Sequence, residues 1–301
     1  MRVESNEWRV ASGEYVPRHL RVFVTGGSGF IGRPLIPLLI PHHTVSILTH
    51  HSPSPFGDDV QTFAADLRDA AAVREAIARA RPDVVIHLAA IGTTAPFLDL
   101  ETAVSHNFQG AVNLVNACFQ HDTPVKQLII ARTPSERHLM NPYGISKAAV
   151  WQFCRLQAKK NGWPIHGAVI FQAYGDQQPA KTVVPTAIAA AQAGADFPMT
   201  DGKQQRDWIH NSDVARGLIA LMNADLPPAA SVDLGSGRLT SVAAVVRQIY
   251  KLVGGSGRPL IGHLPNRVGE DAAQVANAAR TERMIGWKTA VSLADGLLIG
   301  W

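Results

Sequence analysis

Long apolar runs are missing from this 301-residue sequence. The longest candidate, residues 34–40, contains Pro37 and falls far short of the roughly 18 residues a membrane span needs. The first 19 residues carry charges throughout and have no apolar core of the kind a secretory signal needs. Cysteine is scarce, with only Cys118 and Cys154. They form no CxxC and no metal-ligand spacing, which excludes a zinc ribbon, a thioredoxin-type motif and a disulfide framework, and no metal is expected. Two isolated thiols fit a reducing compartment, so the expectation is a soluble cytoplasmic protein that uses no membrane. Runs of Lys or Arg are also absent and the net charge is only +4. A nucleic-acid partner is therefore not expected, although scattered arginines could bind small anions.

What is present is a core and a rhythm. A 46% hydrophobic content over this length supports one large or two modest domains. Residues 1–19 read as a polar extension, ordered only if something holds it. From residue 20 on, short β-rich runs (20–25, 45–48, 60–64, 84–88, 127–131, 165–171) alternate with helical segments (69–80, 101–120, 142–160). An apolar segment at 30–40 is a further helix, which Pro37 should shorten or kink. Buried strands alternating with helices predict an α/β fold of the Rossmann type, a doubly wound parallel sheet, over residues 20–172. Beyond 172 the rhythm loosens. Helices at 183–193, 213–223 and 241–253 suggest a smaller C-terminal substrate-binding domain, 173–301. Segments near 208–236 are expected to return to the first sheet.

Residues 25–32 read TGGSGFIG, with Gly26, Gly29 and Gly32 spaced three apart between a strand and a helix. Glycines permit the tight turn and let backbone N–H groups approach a pyrophosphate, which the helix N-terminus also favours. This makes Gly26, Ser28, Gly29, Phe30, Ile31 and Gly32 candidates for holding NAD or NADP. Asp66 follows the third strand and could accept from an adenine amino group. A helix cap is the other role for such an Asp, and Asp69 competes for it. After the second strand come Leu48, Thr49 and His50, with no acid to take the ribose hydroxyls. That absence, with Arg33 and His50 as possible cations, leans toward NADP.

Tyr143 and Lys147 are four residues apart on a predicted helix and share one face. A lysine cation near a phenol favours phenolate and lowers its pKa. Such a tyrosine can exchange a proton with an alcohol or carbonyl while hydride moves. Ala89 and Ala90, after Leu88, are small enough at a strand end to let backbone approach a cofactor. His87 reads as a structural hydrogen-bonding group.

Taken together, the chain from about residue 20 to 301 resembles an extended short-chain dehydrogenase/reductase of the nucleotide-sugar epimerase, dehydratase and reductase group. The resemblance is carried by TGGSGFIG (25–32), DLRD (66–69), HLAA (87–90), Asn107 with Gly110, YGISK (143–147), AYGD (173–176), VVP (183–185), QRDWIHNSDVA (205–215), LGSG (234–237) and RVGE (267–270). It implies Thr133, Tyr143 and Lys147 as the catalytic set. It implies further cofactor contacts from Leu67, Asn107 and Gln172. It implies substrate contacts from Thr93, Thr133, Val184, Arg206 and Arg267, the arginines clamping a diphosphate. It also implies a homodimer through helices near 104–119 and 146–157.

There are departures. The segment between Thr133 and Tyr143 is short. Pro134 and Ser135 stand where 4,6-dehydratases carry Asp-Glu, and Glu136 comes one position late. Arg132 occupies a place where a small residue is common, and the sequence offers no reason for it. The expected function is hydride exchange at a sugar carbon, C4, of a nucleotide-diphosphate sugar, by a 4-ketoreductase or a 4-epimerase. The alternatives are a lyase, supported only by Glu136, and a cofactor-binding regulatory protein, which intact Tyr143 and Lys147 argue against.

Overall fold

The structure, a computed structural model, describes residues 19–50, 53–95, 97–121, 124–137, 141–266 and 271–299. The N-terminal extension, residues 1–18, lies outside the described residues. Six strands alternate with helices along the first half: β1 (Arg21–Thr25), β2 (Thr44–Thr49), β3 (Gln61–Ala64), β4 (Val84–His87), β5 (Gln127–Arg132) and β6 (Ile165–Ile170). The intervening helices are α1 (Gly32–Leu39), α2 (Ala70–Ala80), α3 (Leu100–Ala103), α4 (Gly110–Phe119) and α5 (Pro142–Asn161). The second half adds β7 (Gln172–Tyr174), β8 (Phe197–Met199), β9 (Gln205–His210), β10 (Ser231–Leu234), β11 (Leu239–Ser241), β12 (Pro259–Ile261) and β13 (Ala273–Gln274). Its helices are α6 (Val183–Gln192), α7 (Asn211–Asn223), α8 (Val242–Val253), α9 (Ala278–Ile285) and α10 (Leu293–Gly296).

Seven strands form one sheet in the order β10-β6-β5-β4-β1-β2-β3, every pair parallel. The order reverses direction at β1 and β4, the crevice where doubly wound sheets hold ligands. One face is sealed by Leu35, Ile36 and Leu39 of α1 with Val214, Leu218 and Leu221 of α7. The other is sealed by Val73 and Ile77 of α2, Leu114 and Val115 of α4, and Val150 and Trp151 of α5. A strand covered on both faces needs apolar residues throughout, which is why these strands read as continuous apolar runs.

Of the segments expected to return to this sheet, β10 joins its edge and α7 packs beneath it. Residues 205–210 do not. They form β9, the centre of a separate small sheet with β7, β11 and β13. The cause is Asp207, fully buried, whose carboxylate accepts from the backbone N–H groups of Ser236 (2.7 Å), Gly237 (2.8 Å) and Ala276 (3.0 Å). That anchor ties β9 to the LGSG turn. A third cluster, built from α6, α8 and β9, is the core of this second lobe.

The segment expected as one helix over 101–120 contains a wide π turn, Val104–Gln109. Such turns concentrate at functional sites. This one turns Asn107 inward, where its amide donates to the Ile91 carbonyl (3.1 Å) and to Ser146 Oγ (3.0 Å). Its Oδ1 accepts from the Ile91 N–H at 2.9 Å. Ser146 in turn donates to the Tyr143 carbonyl. The segment after β4 is thereby clipped to the first turns of α5.

Candidate active site

A cavity of about 620 Å³ opens at the sheet's switch point. The glycine turn forms one wall. Gly26 has φ +73°, and a Cβ there would lie 2.7 Å from the Ala89 backbone nitrogen. A Cβ on Gly32 would lie 2.5 Å or less from the Gly26 and Gly27 carbonyl oxygens. Both positions therefore require glycine on steric grounds. Ser28 Oγ is buried with no hydrogen-bond partner among the described residues. A turn that brings bare backbone to the head of α1, with an unused hydroxyl, fits the phosphates of a dinucleotide.

The opposite wall carries the reactive side chains. Asn141 Oδ1 accepts from the Gly144 N–H at 2.8 Å and caps α5, and Pro142 supplies the first helical position. Gly144 allows the helix to sit against the Ser135 carbonyl, 2.7 Å from where its Cβ would be. One turn into α5, Tyr143 and Lys147 both face the cavity. Thr133 joins them from the end of β5, and its Oγ1 accepts from the Ser135 N–H at 3.3 Å.

The electrostatics differ from the sequence expectation. Burial pushes the Tyr143 phenol up, and the Glu136 carboxylate pushes it the same way. Lys147, 3% exposed, is brought down to about 8 by burial, with Glu136 opposing. In the protein alone, desolvation therefore works against the expected phenolate stabilisation. His87 is structural, as expected. It is 2% exposed, its Nδ1 lies 2.7 Å from Thr25 Oγ1, and burial lowers it to about 3.

Of the anticipated residues, Gly26, Gly29, Phe30, Ile31, Leu88, Ala89, Ala90, Thr93, Gln172 and Arg206 line this cavity together with the Thr133, Tyr143 and Lys147 set. Arg206 is held there by its guanidinium donating to the Asp271 carbonyl at 2.9 Å. Other anticipated residues do not reach it. Val184 is fully buried in the core of the second lobe, because its turn of α6 packs inward; its assignment to substrate is corrected. Asn107 spends its amide on the clip described above. Leu67 packs on the apolar cluster beneath the sheet. The Asp66 carboxylate is gripped by Arg68 Nη2 at 2.6 Å and Nε at 2.9 Å, and sits 3.3 Å from His50 Nε2. Arg68 holds Asp66 well below the usual carboxylate range. Asp69, not Asp66, caps α2 by accepting from the Ala71 and Ala72 N–H groups. Arg33 donates to the Ser28 carbonyl and to Gln177 Oε1. Arg267 lies outside the described residues.

Glu136 does not line the cavity. Its Oε2 takes Arg132 Nη2 at 2.7 Å and Nε at 2.9 Å, while Oε1 accepts from the Thr133 N–H at 3.1 Å. That engagement explains the unusual Arg132, which also stacks 4.3 Å over Trp151. Sequence reasoning missed Gln178, whose buried Oε1 has no partner among the described residues, and the facing Asp271 and Gln274. Gln178 carried one weak signal, its nearness to AYGD; the other two carried none.

A phosphate-type turn facing a Tyr–Lys pair across the switch point of a Rossmann sheet defines the class, a dinucleotide-dependent enzyme of the short-chain dehydrogenase/reductase type. The chain belongs to the NAD dependent epimerase/dehydratase family, whose model matches residues 22–235. It is similar to a UDP-glucose 4-epimerase of Neisseria meningitidis, 27% identical over 93% of this chain and 96% of the relative. In fold it matches a crystal structure of UDP-glucose 4-epimerase from Thermotoga maritima with UDP-glucose, at TM-score 0.84 and 22% identity. The match covers 92% of this chain and 96% of that one. A UDP-glucuronic acid 4-epimerase from Bacillus cereus, in complex with UDP-glucuronic acid and NAD, matches at TM-score 0.82 and 23% identity, covering 92% and 96%. The lean toward NADP finds no support in these comparisons. No cluster of three His, Cys, Asp or Glu that could hold a metal occurs among the described residues, nor a helix long and apolar enough to cross a membrane.

Proposed function

We propose that this chain is an NAD-dependent epimerase acting at C4 of a nucleotide-diphosphate sugar. The observation that carries the reading is the convergence of Thr133, Tyr143 and Lys147 on one cavity with the glycine turn and Arg206. Bound NAD supplies a two-electron acceptor whose oxidised ring carries positive charge. Once the Lys147 ammonium and a cationic cofactor ring favour its phenolate, Tyr143 would take the proton from the sugar hydroxyl and return it after the ketone has turned over. Thr133 holds the reacting oxygen by a hydrogen bond. Lys147 orients the nicotinamide ribose and offsets negative charge on Tyr143. Arg206 binds the diphosphate, for which a guanidinium fork is suited. With both Glu136 oxygens engaged, the support for a lyase falls away.

Unpaired, buried Cys118 and Cys154 are in keeping with a reducing, cytoplasmic setting. Exposed Leu100, Val104, Ile145 and Leu156 on α3, the π turn and α5 provide an apolar face for a homodimer. The test is to denature fresh protein, identify any released dinucleotide by mass, and follow UDP-glucose with the intact protein by proton NMR. Retained NAD with appearance of UDP-galactose is the expected result. Empty protein that consumes a reduced cofactor with a 4-keto sugar would replace the epimerase with a ketoreductase.

A further inference from the structure

A second cavity, about 1040 Å³ and open to solvent, lies on the far side of the Arg132–Thr133 wall. It is bounded by β10, the flank of α5 and the start of α9. Five arginines line it: Arg132, Arg137, Arg155, Arg238 and Arg280. Two are neutralised. Arg132 is paired with Glu136, and Arg137 Nη2 sits 3.4 Å from Asp233 Oδ2. Asp233 is the only acid in this wall among the described residues, and its Oδ2 also accepts from the Asn277 N–H at 3.0 Å. The other three meet no carboxylate among the described residues. Arg155 donates weakly to Gln152 at 3.4 Å, Arg280 donates to the Ser231 carbonyl at 3.0 Å, and the Arg238 guanidinium has no protein acceptor among them.

Like charges gathered around one concavity repel each other and raise the local concentration of anions. Guanidinium groups match phosphate oxygens in pairs. The opening exceeds what one inorganic phosphate would fill. We propose that this cavity is a binding site for a small oligophosphate, free or as a nucleoside ester, separate from the cavity that holds Tyr143. Arg132 is common to both walls, so a ligand here touches the pair that fixes the Thr133 backbone.

The test is calorimetric titration of the full chain with inorganic tripolyphosphate. Saturable binding that weakens as salt rises, and falls about ten-fold or more in the Arg238→Ala/Arg280→Ala variant, is expected. Titration with ADP separates a nucleoside ester from a free oligophosphate, and either satisfies the proposal. Both substituted side chains are exposed, and an unchanged melting temperature verifies the variant's fold. No saturable binding at physiological salt, or undiminished binding in the variant, overturns it. Binding is read without turnover, so the result is independent of the sugar chemistry.

Discussion

The two walls of the 620 Å³ cavity are built on different scales. At the glycine turn, the constraint is backbone against backbone. Gly26 meets Ala89, and Gly32 meets the carbonyls of Gly26 and Gly27. At the substrate wall, the constraint falls on side chains held by partners both near and far along the chain. Arg132 joins Glu136, Trp151 and Ser231, and Arg206 is held from residue 271. The first wall tolerates no change of shape. The second is a network of hydrogen bonds and one buried ion pair.

Three measurements sharpen that contrast. The largest effect is expected at the reacting group. Tyr143→Phe should lower turnover by about 10²–10⁴-fold, the usual worth of a general acid–base, with cofactor affinity within a few-fold. Unchanged turnover would remove Tyr143 from the chemistry. Next comes the network. Glu136→Ala leaves Arg132 buried without its partner and should cost about 3–5 kcal/mol in denaturant unfolding. Replacing both, Arg132→Met with Glu136→Leu, should cost far less. A loss under about 1 kcal/mol in the single variant would mean that the pair does not shape this wall.

The smallest effect concerns His87. Its folded pKa, about 3, lies below that of an unfolded histidine. Between these values the unfolded chain binds the extra proton, so stability is lost as pH falls from about 6.5 toward 3. His87→Gln should flatten that part of the acid limb in a pH series of melting temperatures. An unaltered slope would show that other groups set it.

What was legible in the sequence follows the same division. The glycine turn, the alternating strands and the Tyr143–Lys147 spacing are local patterns, and each is where the sequence placed it. The sign of the Tyr143 shift was not legible, because it depends on how much water the fold excludes. The assignment of Val184 rests on the VVP motif, and a motif does not say which neighbours cover a side chain. Arg132 found its account in the buried pairing with Glu136, the Trp151 ring beneath it and Ser231, about a hundred positions later. Asp207 hid in the same way, because its partners are the turn at 236–237 and Ala276.

The placement of β10 has a consequence for how the molecule is made. It is the outermost strand of the main sheet, yet it follows β7, β8 and β9 in the chain. During synthesis β6 emerges long before its neighbour. Until Ser231–Leu234 arrives, the row of N–H and C=O groups along β6 remains an unpaired edge, the kind that invites association with other chains. The main sheet gains its last strand only after β7, β8 and β9 have been translated.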